Sequence, residues 1–271
     1  METAMNAPQR LTPRAISAMK GTGKIAALTA YDFQTARLLD AAGIPLILVG
    51  DSLGTTLLGY ENTLPVSLVD MIRHSAAVVR GATRALVVVD MPFMTYQASV
   101  EQALRNCGRV VQRTGCQAVK IEGGEFRAPT VAALVQNGIP VLGHIGLTPQ
   151  SVKVLGHRVQ GRGDEAARQL VADAQAIEAA GAFAIVLEAV PADLGAQVSA
   201  AVAVPVIGIG AGPGCDGQIL VINDVLGLSG DFKPKFVKVY ADLGKQISAA
   251  AAAYQADVAG GAFPGPEHCY E

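Results

Sequence analysis

Short, largely apolar runs alternate along this chain with longer stretches whose apolar positions recur every three or four residues. The short runs fall near residues 25–30, 45–50, 85–90, 117–121, 139–144, 183–188, 204–209 and 218–222. Leu46-Ile47-Leu48-Val49 and Leu86-Val87-Val88-Val89 show no polar alternation, which is how a strand covered on both faces reads. Between the runs the period changes. After Ser99, which reads as an N-cap, Val100, Ala103, Leu104, Cys107, Val110 and Val111 keep an i, i+3, i+4, i+7 rhythm, and Gly115 stops it. Asp164 opens another helix, with Leu170, Ala174 and Ile177 on one face and Gly181 at its end. Further helices are expected from Ser67 onward and over roughly 235–258. Eight strands alternating with helices predict a (β/α)8 TIM barrel with extra terminal helical segments; a doubly wound open sheet is the alternative.

The polar residues that interrupt this pattern matter most where they end a strand. Asp51, Asp90, Glu122 and Glu188 each follow an apolar run directly. In a parallel barrel all strand C-termini open on one face, where active sites sit. Neighbouring strands lie about 4.8 Å apart, so Asp51, Asp90 and Glu122, on the second, third and fourth strands, are placed to share one small cation. All-oxygen ligands suit Mg²⁺. The plainer reading of each acid is a helix cap or a partner for a loop arginine.

Lys120 shares the Glu122 side of its strand by period-two alternation. A lysine there neutralises carboxylates, binds an oxyanion or forms an imine. His144 ends the fifth strand, either as a satisfied core histidine or as a donor to a substrate oxygen. Glu188, on the sixth strand, faces the metal set across the mouth, as a general base or as a structural acid paired with a loop cation. Gly208-Ile209-Gly210-Ala211-Gly212 reads as an anion cradle or as a tight turn, and lacks the setting of a dinucleotide fingerprint.

Composition narrows the classes. The 271 residues suit one barrel domain over 1–271, with about 1–14 peripheral or poorly ordered. A 51% apolar content with mean hydropathy +0.35 fits buried strands and some buried subunit surface. The net charge of −2 offers no electrostatic reason for nucleic-acid or anionic-membrane binding. Four scattered cysteines without CxxC spacing carry neither a thiolate metal site nor a disulfide framework. Met1–Arg14 has no signal-peptide core and no stretch reads as a membrane span, so a cytoplasmic location is expected.

Several longer stretches then point to one family. Thr29-Ala30-Tyr31-Asp32, Val49-Gly50-Asp51-Ser52-Leu53-Gly54, Asp90-Met91-Pro92-Phe93-Met94, Val119-Lys120-Ile121-Glu122-Gly123-Gly124 and Gly143-His144-Ile145-Gly146-Leu147-Thr148-Pro149-Gln150 occur in this order. With Val159-Gln160-Gly161-Arg162, Val186-Leu187-Glu188 and the glycine-rich turn, the chain resembles the ketopantoate hydroxymethyltransferase family over nearly all its length after about residue 10. The loop Leu155–Arg158 and the stretch Pro213-Gly214-Cys215 depart from the family pattern.

The resemblance implies a barrel assembled into a large homo-oligomer, typically a decamer. It implies Mg²⁺ held by Asp51 and Asp90, with Glu122 in contact directly or through water. The substrate would be 3-methyl-2-oxobutanoate, bound through Asp51, Ser52, Asp90, Lys120 and His144, and the one-carbon donor 5,10-methylenetetrahydrofolate. Glu188 would be the base. Three rivals remain: a Mg-dependent carbon–carbon lyase of the isocitrate lyase or phosphoenolpyruvate mutase type, an imine-forming aldolase using Lys120, and a non-catalytic keto-acid or folate sensor.

Overall fold

The computed structural model describes residues 10–156, 158–230 and 234–271. Eight parallel strands close in chain order: β1 Ile25–Thr29, β2 Leu46–Val49, β3 Leu86–Asp90, β4 Ala118–Glu122, β5 Val141–Gly146, β6 Ala184–Glu188, β7 Val206–Ile209 and β8 Gly217–Leu220. Ala27 of β1 is in register with Leu46 of β2, and Ile25 with Gly217 of β8. That last pairing closes the sheet and removes the open doubly wound alternative.

The barrel interior is a packed apolar layer. Ile25, Ala27, Leu46, Leu48, Leu86, Val88, Ala118, Leu142, Ala184 and Val186 belong to one buried cluster. Period two then dictates what lies above them. Val88 is followed by Asp90, Ala118 by Lys120 and then Glu122, Leu142 by His144, and Val186 by Glu188. The charged groups are therefore the upper layer of the same inward-facing rows whose lower layer is the core.

Chain entry is built from the other end. Thr12 caps the helix Pro13–Ser17 by accepting from the Ala15 amide, and Ile16 is fully buried in the barrel cluster. Of the segment expected to be peripheral, residues 1–9 lie outside the described residues, while Leu11 packs against that cluster.

The expected helices form for the expected reasons. Ser67 and Asp70 make a reciprocal capping box on Leu68–Gly81. Ser99 accepts from the Gln102 amide at the start of Val100–Thr114, and Gly115 ends it at φ 73°. Asp164–Ala179 buries Leu170, Ala174 and Ile177.

The described residues divide into two compact units, one ending at Val221 and the other spanning Ile222–Glu271. The second holds a short helix, Ile222–Val225, and a long one, Leu243–Gly260. The long helix starts later than the periodicity over 235–258 predicts. The Tyr240 and Leu243 amides are drawn to the carbonyls of Val225 and Leu226, and the Asp242 side chain caps the helix by accepting from the Lys245 amide. No helix among the described residues is long and apolar enough to cross a membrane.

Candidate active site

The strand tips bring Asp51, Asp90, Lys120, Glu122 and His144 together, each almost fully buried, with Glu188 at their edge. Register explains the neighbours: Asp90 lies opposite Lys120, Glu122 opposite His144, and Glu188 opposite Gly146. Asp51, just past β2, donates its backbone N–H to Asp90 Oδ2 at 3.1 Å. Ser52 follows it and meets the buried Tyr31 hydroxyl, Oγ to Oη, at 2.8 Å. A Cβ at Gly50 would lie 2.6 Å from Ser52 Oγ, so a larger residue there would displace the Ser52 hydroxyl from Tyr31.

Lys120 Nζ sits 2.9 Å from Asp90 Oδ1, an ion-pair distance without hydrogen-bond geometry, and 3.0 Å from His144 Nδ1. Burial opposes its ammonium form, but Asp90, Glu122 and Asp51 outweigh burial and hold its pKa above the ordinary lysine value. An Nδ1 that accepts from this ammonium leaves the imidazole proton on Nε2. That nitrogen faces Glu188 Oε2 at 3.3 Å, while Nδ1 lies 3.5 Å from Glu122 Oε1. Burial and Lys120 push the His144 pKa down; Glu122 and Glu188 more than reverse this.

The carboxylates are short of positive charge. Burial first, then the charges on Asp90 and Glu122, raise the Asp51 pKa to about 8, against the opposing pull of Lys120 and Gln150. Burial raises Asp90 as well, in spite of Lys120. Asp90 Oδ1, Glu122 Oε1 and His144 Nε2 are buried without a hydrogen bond. Ion pairing to Lys120 and Glu188 partly meets the first and the last of these, and Glu122 Oε1 stays open toward a ligand. Oxygen donors with a net negative balance fit a hard divalent cation. Among the described residues no three His, Cys, Asp or Glu side chains are drawn together tightly enough to hold an ion alone. Two carboxylates completed by water and substrate oxygens is the usual arrangement for Mg²⁺.

Three side chains without an assigned role in the sequence reading complete the site. Gln150 Nε2 donates to Asp51 Oδ2 at 2.9 Å, and its backbone N–H donates to Glu122 Oε2 at 3.1 Å. Tyr96 accepts from the Glu122 amide at 3.0 Å, and Tyr31 holds Ser52. Gln150 and Tyr31 lie inside the stretches that carry the family resemblance, which was the only available signal; Tyr96 had none. The glycine-rich turn is shaped by packing: Gly210 and Gly212 have φ of 64° and 80°, and a Cβ on Gly212 would meet the Ala192 side chain at 2.5 Å. A cavity of about 560 Å³ adjoins the site, sharing Gly123, Gly146 and Gln150 with it and walled by Phe93, Phe126 and Leu155.

The family model described as ketopantoate hydroxymethyltransferase matches residues 10–266. A Chloroflexus aurantiacus protein named 3-methyl-2-oxobutanoate hydroxymethyltransferase is 56% identical over 260 residues, covering 96% of this chain and 92% of the relative. Proteins of the same name from Streptomyces coelicolor and Syntrophus aciditrophicus are 56% and 53% identical, covering 96% and 97% of this chain and 90% and 97% of their own. Among solved structures, a 2,3-dimethylmalate lyase of the PEP mutase/isocitrate lyase superfamily aligns with TM-score 0.60 at 17% identity, over 93% of this chain and 88% of its own. A phosphonopyruvate hydrolase in complex with oxalate and Mg²⁺ aligns with TM-score 0.61 at 14% identity, over 95% and 93%. At such identities the structural likeness speaks for the fold alone.

Proposed function

The chain belongs to the ketopantoate hydroxymethyltransferase family, and on that premise we propose that it transfers a hydroxymethyl group from 5,10-methylenetetrahydrofolate to 3-methyl-2-oxobutanoate. The product is 2-dehydropantoate, on the route to pantothenate. The observation that carries the site reading is the buried ring of charged groups at the strand tips, in which Asp51, Asp90 and Glu122 crowd around the ammonium of Lys120.

Asp51 and Asp90 would hold a divalent cation, with Glu122 in contact directly or through a water. A bound Mg²⁺ supplies Lewis acidity at the 2-oxo oxygen of the substrate, which acidifies its C3–H. Lys120 stays a charged ammonium among three acids, so it serves the substrate carboxylate or oxo end and is a poor imine-forming nucleophile. Ser52, held by Tyr31, offers a second polar contact at the same end. His144 spans Lys120 and Glu188 and so fixes the side from which the base acts. Glu188, the most exposed of these acids at 16%, takes the C3 proton. The electron pair left on C3 forms the new bond to the methylene carbon, and one of the two C–N bonds that tie that carbon to the folate breaks. Water then displaces the second folate nitrogen, which leaves with a proton, and supplies the oxygen of the hydroxymethyl group.

The cavity beside Gln150 supports a second, larger reactant, being far roomier than a five-carbon keto acid needs. Its apolar walls suit a flat heterocycle. Association of copies is supported by the helix Leu243–Gly260, which buries none of its residues and leaves Ile247, Tyr254 and Val258 exposed. Likeness to the lyases in fold does not argue for lyase chemistry.

Proton NMR of 3-methyl-2-oxobutanoate in D₂O, without folate, tests the reading. Metal-dependent loss of the C3–H signal is expected, slowed by about 10²–10⁴-fold in Glu188→Gln. Exchange that survives EDTA would overturn the metal role and return Lys120 to consideration. No exchange or turnover, with folate added, would leave the sensor reading.

A further inference from the structure

Gln150 has no part in the chemistry described above, yet it binds two of the clustered carboxylates, Asp51 and Glu122. It lies in the turn Pro149–Ser151 just past β5 and is buried. Its amide uses its whole capacity. Nε2 donates to Asp51 Oδ2 at 2.9 Å and to the Met91 carbonyl at 2.9 Å. Oε1 accepts from the Tyr96 hydroxyl at 2.8 Å and from Gln97 Nε2 at 2.9 Å. Two donors and two lone pairs are all that a side-chain amide owns. The Met91 carbonyl also fixes its orientation, because a carbonyl only accepts.

The backbone N–H of the same residue donates to Glu122 Oε2 at 3.1 Å, leaving Glu122 Oε1 open. Tyr96 stands behind both contacts, donating to Gln150 Oε1 and accepting from the Glu122 amide. One oxygen of Asp51 and one of Glu122 are thus fastened by groups that carry no charge. A lysine or arginine in this place would satisfy the same oxygens but would repel an incoming cation. A neutral donor compensates for burial and leaves the negative balance intact.

We propose that Gln150 is a positioning residue that holds Asp51 and Glu122 ready for the divalent cation. The proposal rests on the metal reading of the site. Without the amide, two crowded carboxylates turn away from each other, and the ion must pull them back as it binds. Groups that orient metal ligands in this way typically change affinity by about 10–100-fold when lost.

The test is calorimetric titration of Mg²⁺ into the full chain without substrate, for wild type, Gln150→Met, Tyr96→Phe and the double variant. Met keeps the length of Gln but has no amide. Gln150→Met is expected to raise the Mg²⁺ Kd by about 10–100-fold, Tyr96→Phe by less, and the double variant by less than the product of the two. A Kd for folded Gln150→Met within twofold of wild type would overturn the proposal, and so would a double variant equal to that product. If Gln150→Met does not fold, Tyr96→Phe decides alone: a weakened Mg²⁺ affinity supports the assignment and an unchanged one overturns it. Wild type with no saturable binding that Asp51→Asn abolishes would overturn this proposal and the metal reading together. Tight wild-type binding with equally tight Gln150→Met binding would remove the positioning role only.

Discussion

Two buried acids at opposite ends of the barrel have opposite fates. Asp40, at the end of the helix Phe33–Ala41, receives hydrogen bonds from the amides of Thr83, Arg84 and Ala85 and from the Thr83 hydroxyl, at 2.7–3.0 Å. Burial opposes its ionisation, but these donors outweigh burial and lower its pKa. Asp51 at the mouth faces two further carboxylates, and burial together with their charges raises its pKa to about 8. Asp216, just before β8, follows Asp40: burial is overcome by the Val206 amide, Ser199 and Lys20. An acid whose needs are met by fixed donors holds the fold together. Acids left short of donors keep their capacity for something that arrives later.

The contrast can be broken from either side. The largest effect is expected at the mouth, where Asp51→Asn should lower turnover by about 10²-fold or more while Tm holds or rises. Asn matches the shape of the carboxyl and is neutral at every pH, so burial no longer opposes it; a sharp loss of Tm in thermal unfolding would show that the cluster is structural instead. At the other end, Asp40→Ala should cost about 2–4 kcal/mol in a denaturant titration, because buried amides lose their acceptor. Activity per folded molecule should be unchanged there.

The smallest effect separates the two ends by pH. A carboxylate whose folded pKa is depressed contributes stability above its unfolded pKa of about 3.9 and loses it as pH falls through the folded value. The Tm gap between wild type and Asp40→Asn should therefore be constant from pH 7 to about 5 and shrink toward pH 3. A gap that persists undiminished at pH 3 would mean that shape, not charge, makes the Asp40 contacts.

Much of this was legible along the chain. Strand positions followed from unbroken apolar runs, and the strand-tip acids from where those runs stop. Period-two alternation put Lys120 and Glu122 on one side, and the approach of both side chains to His144 Nδ1, at 3.0 and 3.5 Å, bears that out. Less was visible of the groups that organise them. Gln150 meets Asp51 and Tyr96 across 99 and 54 residues of chain. Tyr31 meets Ser52 across 21 and Asp40 meets Thr83 across 43. No periodicity reaches such distances.

The late start of Leu243–Gly260 has the same origin. Helical periodicity extends back to about 235, but backbone amides taken by Val225 and Leu226 keep residues 240–243 out of the helix. Local pattern alone determined the strands, their inward rows and the acids at their tips, since these depend on side-chain period and burial, which each strand carries in itself; the β1–β8 pairing closed them into a barrel. Which buried acid became a structural anchor and which stayed open was decided only by the closed sheet. Hydrogen-bond donors from distant segments either reach a carboxylate or do not, and that is a matter of where the chain comes together.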